Sequence, residues 1–321
     1  MAFPKPDLLL CPQCRGSLQQ LGEVAFQCAN CAKQYPYENG VLRISKPAWA
    51  EDSETTKTVE QFGESWHTHS HQAEYFEQQF KDWIAPVPSE LFRDATVLEG
   101  GCGKGRHSKT VSGWAPKDLY SVDLSSAVDL AAKVTGGNAK VHCIQADLLN
   151  LPFRENAFDI VFCVGVLHHL ADPFAGLKEL WRTLRPGGTL ALWVYGKEGN
   201  GWILWTVDPL RKHITSKIPT RILKYMIWPL AGFLYCVLKL FYLPSRKWNW
   251  LAKLLPYQSY LSYIAGFPYR EIEHLVLDHL CPPIAFYLPK STLESWFAQL
   301  QPAQVSYRWH NRNSWAVTAK K

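Results

Sequence analysis

The segment Thr96-Val97-Leu98-Glu99-Gly100-Gly101-Cys102-Gly103-Lys104-Gly105-Arg106 constrains this chain more than any other. A short β-rich run enters it, glycines turn it, and helix-compatible sequence from Arg106 to Trp114 leaves it. Strand, glycine loop and helix in that order bring backbone N–H groups and a helix N-terminus to an anionic ligand. The glycines permit close backbone approach, because a Cβ there would push the ligand away. Spacing then sets two common nucleotide loops aside. A dinucleotide fingerprint wants glycine at positions 101, 103 and 106, but position 106 is Arg and the third glycine is Gly105. A phosphate-gripping loop wants Gly-Lys followed by Ser or Thr, and Lys104 is followed by Gly105.

Val97-Leu98-Glu99-x-Gly101-Cys102-Gly103-x-Gly105 instead resembles the first motif of class I S-adenosylmethionine-dependent methyltransferases of the type 11/12 kind. The resemblance continues in order. Tyr120-Ser121-Val122-Asp123-Leu124 is similar to the end of the second strand, and Gln145-Ala146-Asp147-Leu148 to the third motif. Phe158 to Leu170 is similar to the fourth strand and its loop, and Arg185 to Tyr195 to a turn and fifth strand. The resemblance implies an α/β fold, a Rossmann-like, seven-stranded class I methyltransferase core, to which residues outside these motifs are expected to add an N-terminal zinc ribbon and a helical cap insertion. It implies that Gly101, Cys102, Gly103 and Gly105 pass close to the methionine part of S-adenosylmethionine. Glu99 would organise the loop or meet the amino group. Asp123, followed by Leu124, would hold the ribose, since a carboxylate can accept from two hydroxyls. Asp147 and Leu148 would hold adenine, and Cys163 would floor the site beside the sulfonium. His168 and His169, just past the fourth strand, and Tyr195, ending the fifth, are the candidate catalytic or lining residues at the carboxyl edge of the sheet.

Cys11-Pro-Gln-Cys14 and Cys28-Ala-Asn-Cys31 form two CxxC knuckles. Two such turns complete a tetrahedral sulfur site that suits zinc, and four thiolates leave no open position for catalysis. The ribbon, expected over residues 1–46 and similar to Trm112-like ribbons, is therefore structural or for recognition. Val24, Phe26 and Val41 to Ile44 read as its strands. The remaining cysteines are scattered singly, which fits a reducing compartment. No basic region followed by an apolar run opens the chain, so a cytoplasmic protein is expected.

Residues 47–94 read as a helical linker or lid. Glu51 to Glu64 is polar and expected to be exposed, Phe76, Phe80 and Trp83 recur at helical spacing, and Trp66 is a candidate cover for the cofactor. His67, His69 and His71 alternate, which spreads them around a helix and argues against a metal. The core is expected over 95–197 and its last strands over 291–321, with Ser291-Thr292-Leu293-Glu294 reading as a capped helix start.

Residues 198–290 are the unusual part. Between 201 and 270, cations from Arg211 to Arg270 face a single acid, Asp208, among Trp202, Trp205, Trp228, Trp248 and Trp250. With a net charge of +6 overall, the basic character concentrates here. A cap with this composition suits a small-molecule acceptor, hydrophobic or lipid-like, with peripheral membrane contact through 201–270 on the inner face of a membrane. The alternative is an RNA methyltransferase, for rRNA or tRNA, that uses the ribbon for recognition. A further alternative is a cofactor-binding interaction protein without catalysis, against which the intact loop argues. Cys163-Val164-Gly165-Val166 lacks the Asn or Asp, Pro-Pro and aromatic pattern of adenine methylation, so no DNA partner is expected.

Overall fold

The computed structural model describes residues 3–45, 54–68, 75–136 and 138–321. His69 and His71 lie outside them. The strands are β1 (Leu18–Leu21), β2 (Ala25–Cys28), β3 (Gln34–Glu38), β4 (Val41–Arg43), β5 (Thr96–Gly100), β6 (Asp118–Asp123), β7 (Val141–Gln145), β8 (Phe158–Val164), β9 (Leu184–Tyr195), β10 (Gln304–His310) and β11 (Ser314–Lys320). Their order is β1-β2-β3-β4-β7-β6-β5-β8-β9-β11-β10. The seven from β7 to β10 form the core sheet. Neighbours from β7 to β9 are parallel, and β11 alone runs against them. Buried on both faces, β5, β6 and β8 read as near-continuous apolar runs, as central parallel strands do.

The chain leaves β5 toward β6 and β7 on one side, then crosses to β8 and β9 on the other. The crevice at the carboxyl ends of β5 and β8 is where an open α/β sheet takes its ligand. Arg106–Ser112, Val128–Val134 and Pro173–Thr183 are the crossover helices. The last is capped by Asp172, whose carboxylate accepts from Ala175 N at 2.9 Å.

The ribbon is not a separate bead. β4 pairs in parallel with β7, with Val41 opposite Cys143 and Arg43 opposite Gln145, and Arg43 pairs with Asp129. Leu9, Leu18, Phe26 and Tyr35 join one apolar cluster with Phe153 and Phe158 of the core. A unit this small cannot bury enough surface by itself, so it shares the core's. Val24 sits in a turn and is 68% exposed, outside the strand expected for it.

Two further expectations change. Glu54–Thr68 is a helix in which Thr56 and Thr58 are buried, so this part of the polar stretch packs against its neighbours. The helix Lys290–Leu300 starts after Pro289 with no side-chain cap, and Ser291 lies within its first turn. Proline at the cap already presets the extended entry geometry.

The cap is helical. Thr220–Val237 packs on Tyr269–Leu280 through Leu223, Ile227 and Ala231 against Val276, Leu277 and Leu280. The stretch Thr220–Ser245 is long and apolar enough to cross a membrane, and 22% of its most apolar window is buried.

Candidate functional site

A cavity of about 220 Å³ opens at the carboxyl edge of the core sheet, between the glycine loop and the cap. By that measure a single water occupies roughly 10–15 Å³, so the space is far larger than a packing defect. Its core wall holds Gly101, Cys102, Gly103, Asp123, Leu124, Asp147 and Leu148. The structure thus brings these expected cofactor residues together from β5, β6 and β7.

Backbone geometry explains the glycines. Gly101, Gly103 and Gly105 have φ of +79°, +50° and +78°, a region that side-chain-bearing residues avoid. Their neighbours differ. A Cβ on Gly101 would sit 2.3 Å from Val166 Cγ2, and one on Gly105 would sit 2.6 Å from Ala131 Cα. A Cβ on Gly103 would point at the Trp66 indole, 3.2 Å from its Nε1. Gly105 therefore serves helix packing and does not line the cavity, whereas Gly103 opens onto it.

Asp123 clamps the loop. Its Oδ2 accepts from Gly103 N at 2.8 Å, and its Oδ1 accepts from Ser125 N and Oγ at 2.8 and 2.7 Å. Burial raises its pKa, and these bonds oppose the rise. Asp147 Oδ1 accepts from Leu149 N at 2.8 Å and keeps its carboxylate at the cavity wall.

Glu99 stands elsewhere than expected. It is 1% exposed behind the loop, bound by Ser108 and Ser121, and does not line the cavity. Burial lifts its pKa to about 7 against those two bonds. Its role is to fasten β5 to β6 and the following helix, so it does not reach a ligand's amino group. Cys163 is also off the cavity. It is fully buried, and Val164 and Gly165, the next residues along, form the floor.

The candidate catalytic residues separate too. His169 and Tyr195 line the cavity, and His168 does not. His168 is fully buried beneath Tyr195, its ring 4.0 Å away, and neither ring nitrogen has a hydrogen-bond partner among the described residues. Burial drives its pKa well down, so it is a packing residue. His169 Nδ1 lies 2.7 Å from the Ile284 carbonyl. A carbonyl only accepts, so Nδ1 carries the proton and Nε2 is the free acceptor. Burial lowers its pKa to about 4, keeping the ring neutral at pH 7.

The cap contributes what sequence reasoning missed. Tyr260, Tyr287 and His279 line the cavity with Trp193 and Tyr195. Tyr195 stacks near Tyr287 at 5.5 Å and His279 at 5.8 Å. Together these rings form an aromatic box. Trp193 Nε1 and His279 Nδ1 have no hydrogen-bond partner among the described residues. Near the loop, Lys104 is 1% exposed, with Nζ 5.1 Å from the Trp66 ring and 5.2 Å from Phe76. Glu271, His274 and Asp278 stand at the same cavity. No sequence motif flags these cap residues, since their relation to the loop exists only after the chain folds back.

In the ribbon, the ligand atoms of Cys11, Cys14, Cys28 and Cys31 all lie within 4.8 Å of one another. Cys11 and Cys31 sulfurs are 3.7 Å apart, and Cys14 and Cys28 sulfurs 3.4 Å. Zinc–sulfur bonds of about 2.3 Å in a tetrahedron place sulfurs about 3.8 Å apart, so the set fits the ion.

Residues 98–192 match a family model described as a methyltransferase domain. A tRNA U34 carboxymethyltransferase of Methylococcus capsulatus is 38% identical over 106 residues, covering 32% of this chain and 33% of that one. One from Cellvibrio japonicus is 33% identical over 126 residues, covering 37% and 39%. One from Shewanella piezotolerans is 33% identical over 153 residues, covering 40% and 46%. The chain thus spans 33% to 46% of the length of these curated relatives. Among solved structures, a putative S-adenosylmethionine-dependent methyltransferase from Listeria monocytogenes is 24% identical, covers 38% of this chain and 53% of that one, and has a TM-score of 0.33. A complex between the Haloferax volcanii Trm112 methyltransferase activator and a putative methyltransferase is 22% identical, covering 41% and 60%, with a TM-score of 0.34.

These relatives correct the expected acceptor. A small hydrophobic or lipid-like molecule as main partner is overturned, because the named relatives modify tRNA. Peripheral membrane contact through 201–270 has no support from them. The apolar, cationic composition of the cap suggested lipid because composition cannot tell a lipid headgroup from a phosphate backbone.

Proposed function

We propose, from the premise that residues 98–192 form a class I S-adenosylmethionine-dependent methyltransferase domain, that this chain methylates RNA, with a tRNA base as acceptor. One observation carries the reading: a single cavity joins the glycine loop to an aromatic box under a basic cap. When bound, the cofactor supplies a methyl group already activated as a sulfonium. The chain's own residues do the rest. Gly101 to Gly103 hold the methionine end, Asp123 the ribose, and Asp147 with Leu148 the adenine. Trp193, Tyr195, Tyr260 and Tyr287 offer faces for a base drawn out of its stack. His169 Nε2 is an acceptor for a proton or a hydrogen bond.

The cap's exposed surface suits the same partner. Lys212, Lys217, Arg221, Lys247, Lys253 and Arg270 are exposed, interleaved with exposed Trp202, Trp205, Trp228, Trp248 and Trp250. Cations neutralise phosphates, and aromatic faces stack unpaired bases. Cys11, Cys14, Cys28 and Cys31 hold a structural zinc, and the ribbon serves recognition. The protein works in the cytoplasm, where tRNA is modified.

The test is labelled methyl transfer from S-adenosylmethionine into extract from cells lacking this protein, followed by separation of RNA from other acceptors. Label in the tRNA fraction is expected. Label confined to the non-RNA fraction overturns the reading. Binding of bulk tRNA should also weaken steeply with salt, and a flat response between low and moderate salt would count against it.

A further inference from the structure

Glu99 is fastened behind the glycine loop and Asp123 is engaged by Gly103 and Ser125, while the cap helix Tyr269–Leu280 brings two further carboxylates, Glu271 and Asp278, to the same cavity. We propose that Asp278 and Glu271 of this helix receive the ammonium of the cofactor's amino-acid end, while Lys104 and Arg106 of the loop receive its carboxylate. The inference rests on the cofactor reading of the cavity and not on the RNA reading.

The placement carries it. Lys104 and Arg106 leave the glycine loop, and Trp66 lies over Gly103. The Arg106 guanidinium is 5.7 Å from the Trp66 ring, 5.5 Å from Phe76 and 5.1 Å from Trp83. These rings hold both cations at the loop while keeping water away. On the cap helix, Asp278 Oδ1 accepts from Ser65 Oγ at 3.5 Å and stands 3.3 Å from His274 Nε2. The His274 ring meets Trp66 edge-on at 4.5 Å. Two cations from the loop and two carboxylates from the cap helix thus line one cavity. An amino acid carries an ammonium and a carboxylate together, so a zwitterion is complementary where a simple anion or cation is not.

A second observation points to a ligand at this end. His107 is 5% exposed, lines the cavity, and has no hydrogen-bond partner at Nε2 among the described residues. Burial holds its ring neutral, so Nε2 is available to a polar group entering the space.

The charged groups already perturb one another. Burial lowers the Lys104 pKa to about 8, with Arg106 adding to the fall and Glu271 and Asp278 opposing it. Burial raises Asp278 to about 7, with Arg106 and Lys104 opposing. Glu271, His274, Ser65, Tyr195, Tyr260 and Cys281 complete its surroundings. An ammonium entering here stabilises the ionised carboxylate, so cofactor binding should weaken as pH falls through 7. The consequence is structural as well. The same helix carries His279 of the aromatic box, so the acceptor site is completed by the helix that grips the cofactor.

Calorimetry with two probes tests this: S-adenosylhomocysteine, which has the amino-acid end, and 5′-methylthioadenosine, which lacks it. Asp278→Asn should weaken S-adenosylhomocysteine roughly 10–100-fold, the worth of a charge-assisted bond, and 5′-methylthioadenosine less than about threefold by the same argument. In the unaltered chain, S-adenosylhomocysteine affinity should fall roughly tenfold between about pH 7 and 5.5, and Asp278→Asn should flatten that fall. Glu271→Gln is the second variant, used if the first does not melt cooperatively. Equal weakening of both probes, or an unchanged affinity for S-adenosylhomocysteine, overturns the proposal. RNA does not enter the measurement, so failure of the RNA reading leaves it standing.

Discussion

Gly105→Ala tests the geometry of the loop, because two separate costs can be read from the structure. The first is conformational. Gly105 has φ of +78°, and a left-handed conformation costs a residue with a Cβ about 1–2 kcal/mol. The second is steric. The new Cβ would lie 2.6 Å from Ala131 Cα and 2.8 Å from Ala131 Cβ. Ala131 is fully buried in a cluster with Val41, Cys102, Val128 and Cys143, so the helix Val128–Val134 cannot simply step aside. Overpacking of this kind costs about 1–3 kcal/mol, for a total of about 2–5 kcal/mol. Gly187→Ala is the control. Gly187 has φ of +76° but nothing within 4 Å of its Cβ position, so it bears only the conformational cost. Denaturant melting of both variants should place Gly105→Ala about 1–3 kcal/mol below Gly187→Ala. It should also weaken S-adenosylhomocysteine binding, since Gly105 anchors the loop that Gly103 presents. Equal losses in the two variants would refute the packing argument for the third glycine.

Asp123→Asn replaces an oxygen that accepts from the loop with an amide donor, so S-adenosylhomocysteine affinity should fall roughly 10–100-fold; calorimetry finding no change would remove Asp123 from the cofactor site. Glu99 has a folded pKa raised to about 7. A carboxyl raised in this way is less costly to the fold when protonated, so stability should be fully lost to this group only above about pH 7 and regained as pH falls toward its ordinary value near 4.3. Glu99→Gln should therefore gain up to about 3 kcal/mol above pH 7 and flatten that window; a variant less stable than the parent at pH 8 contradicts this. Metal analysis should return zinc in equal proportion to protein. Chelation or Cys28→Ser should lower the melting temperature of the whole chain, because Phe26 and Tyr35 share a cluster with Phe153 and Phe158. A metal-free protein that melts unchanged would dismiss the site.

Much of the core was legible because its signals are local. Glycines at 101, 103 and 105 need positive φ whatever surrounds them, and the acids at 123 and 147 sit at strand ends fixed by the alternation of strand and helix. The CxxC pairs declare their ligand geometry in three residues. Reading by analogy misplaced what depends on side-chain direction. Glu99 turns behind the loop toward Ser108 and Ser121, and His168 turns under Tyr195. Both lie within the expected motifs and neither reaches the cavity: Glu99 because a strand sends successive side chains to opposite faces, and His168 because the 3-10 turn Leu167–His169 directs it inward while His169 lines the cavity.

The acceptor was misread for a different reason. Tryptophan, tyrosine, lysine and arginine suit a lipid interface and a single-stranded nucleic acid equally well, and composition does not separate them. The chain by itself determined the doubly wound sheet, the glycine loop and the cysteine knuckles, because each is a short-range consequence of backbone freedom or ligand spacing. Only the tertiary structure decided that β4 of the ribbon extends the core sheet, and that Asp278, Glu271 and His279 of a helix far along the chain line the same cavity as Gly103 and Tyr195. Those contacts are set by which apolar faces find each other when the cap folds back, and that pairing has no local imprint in the residues that make it.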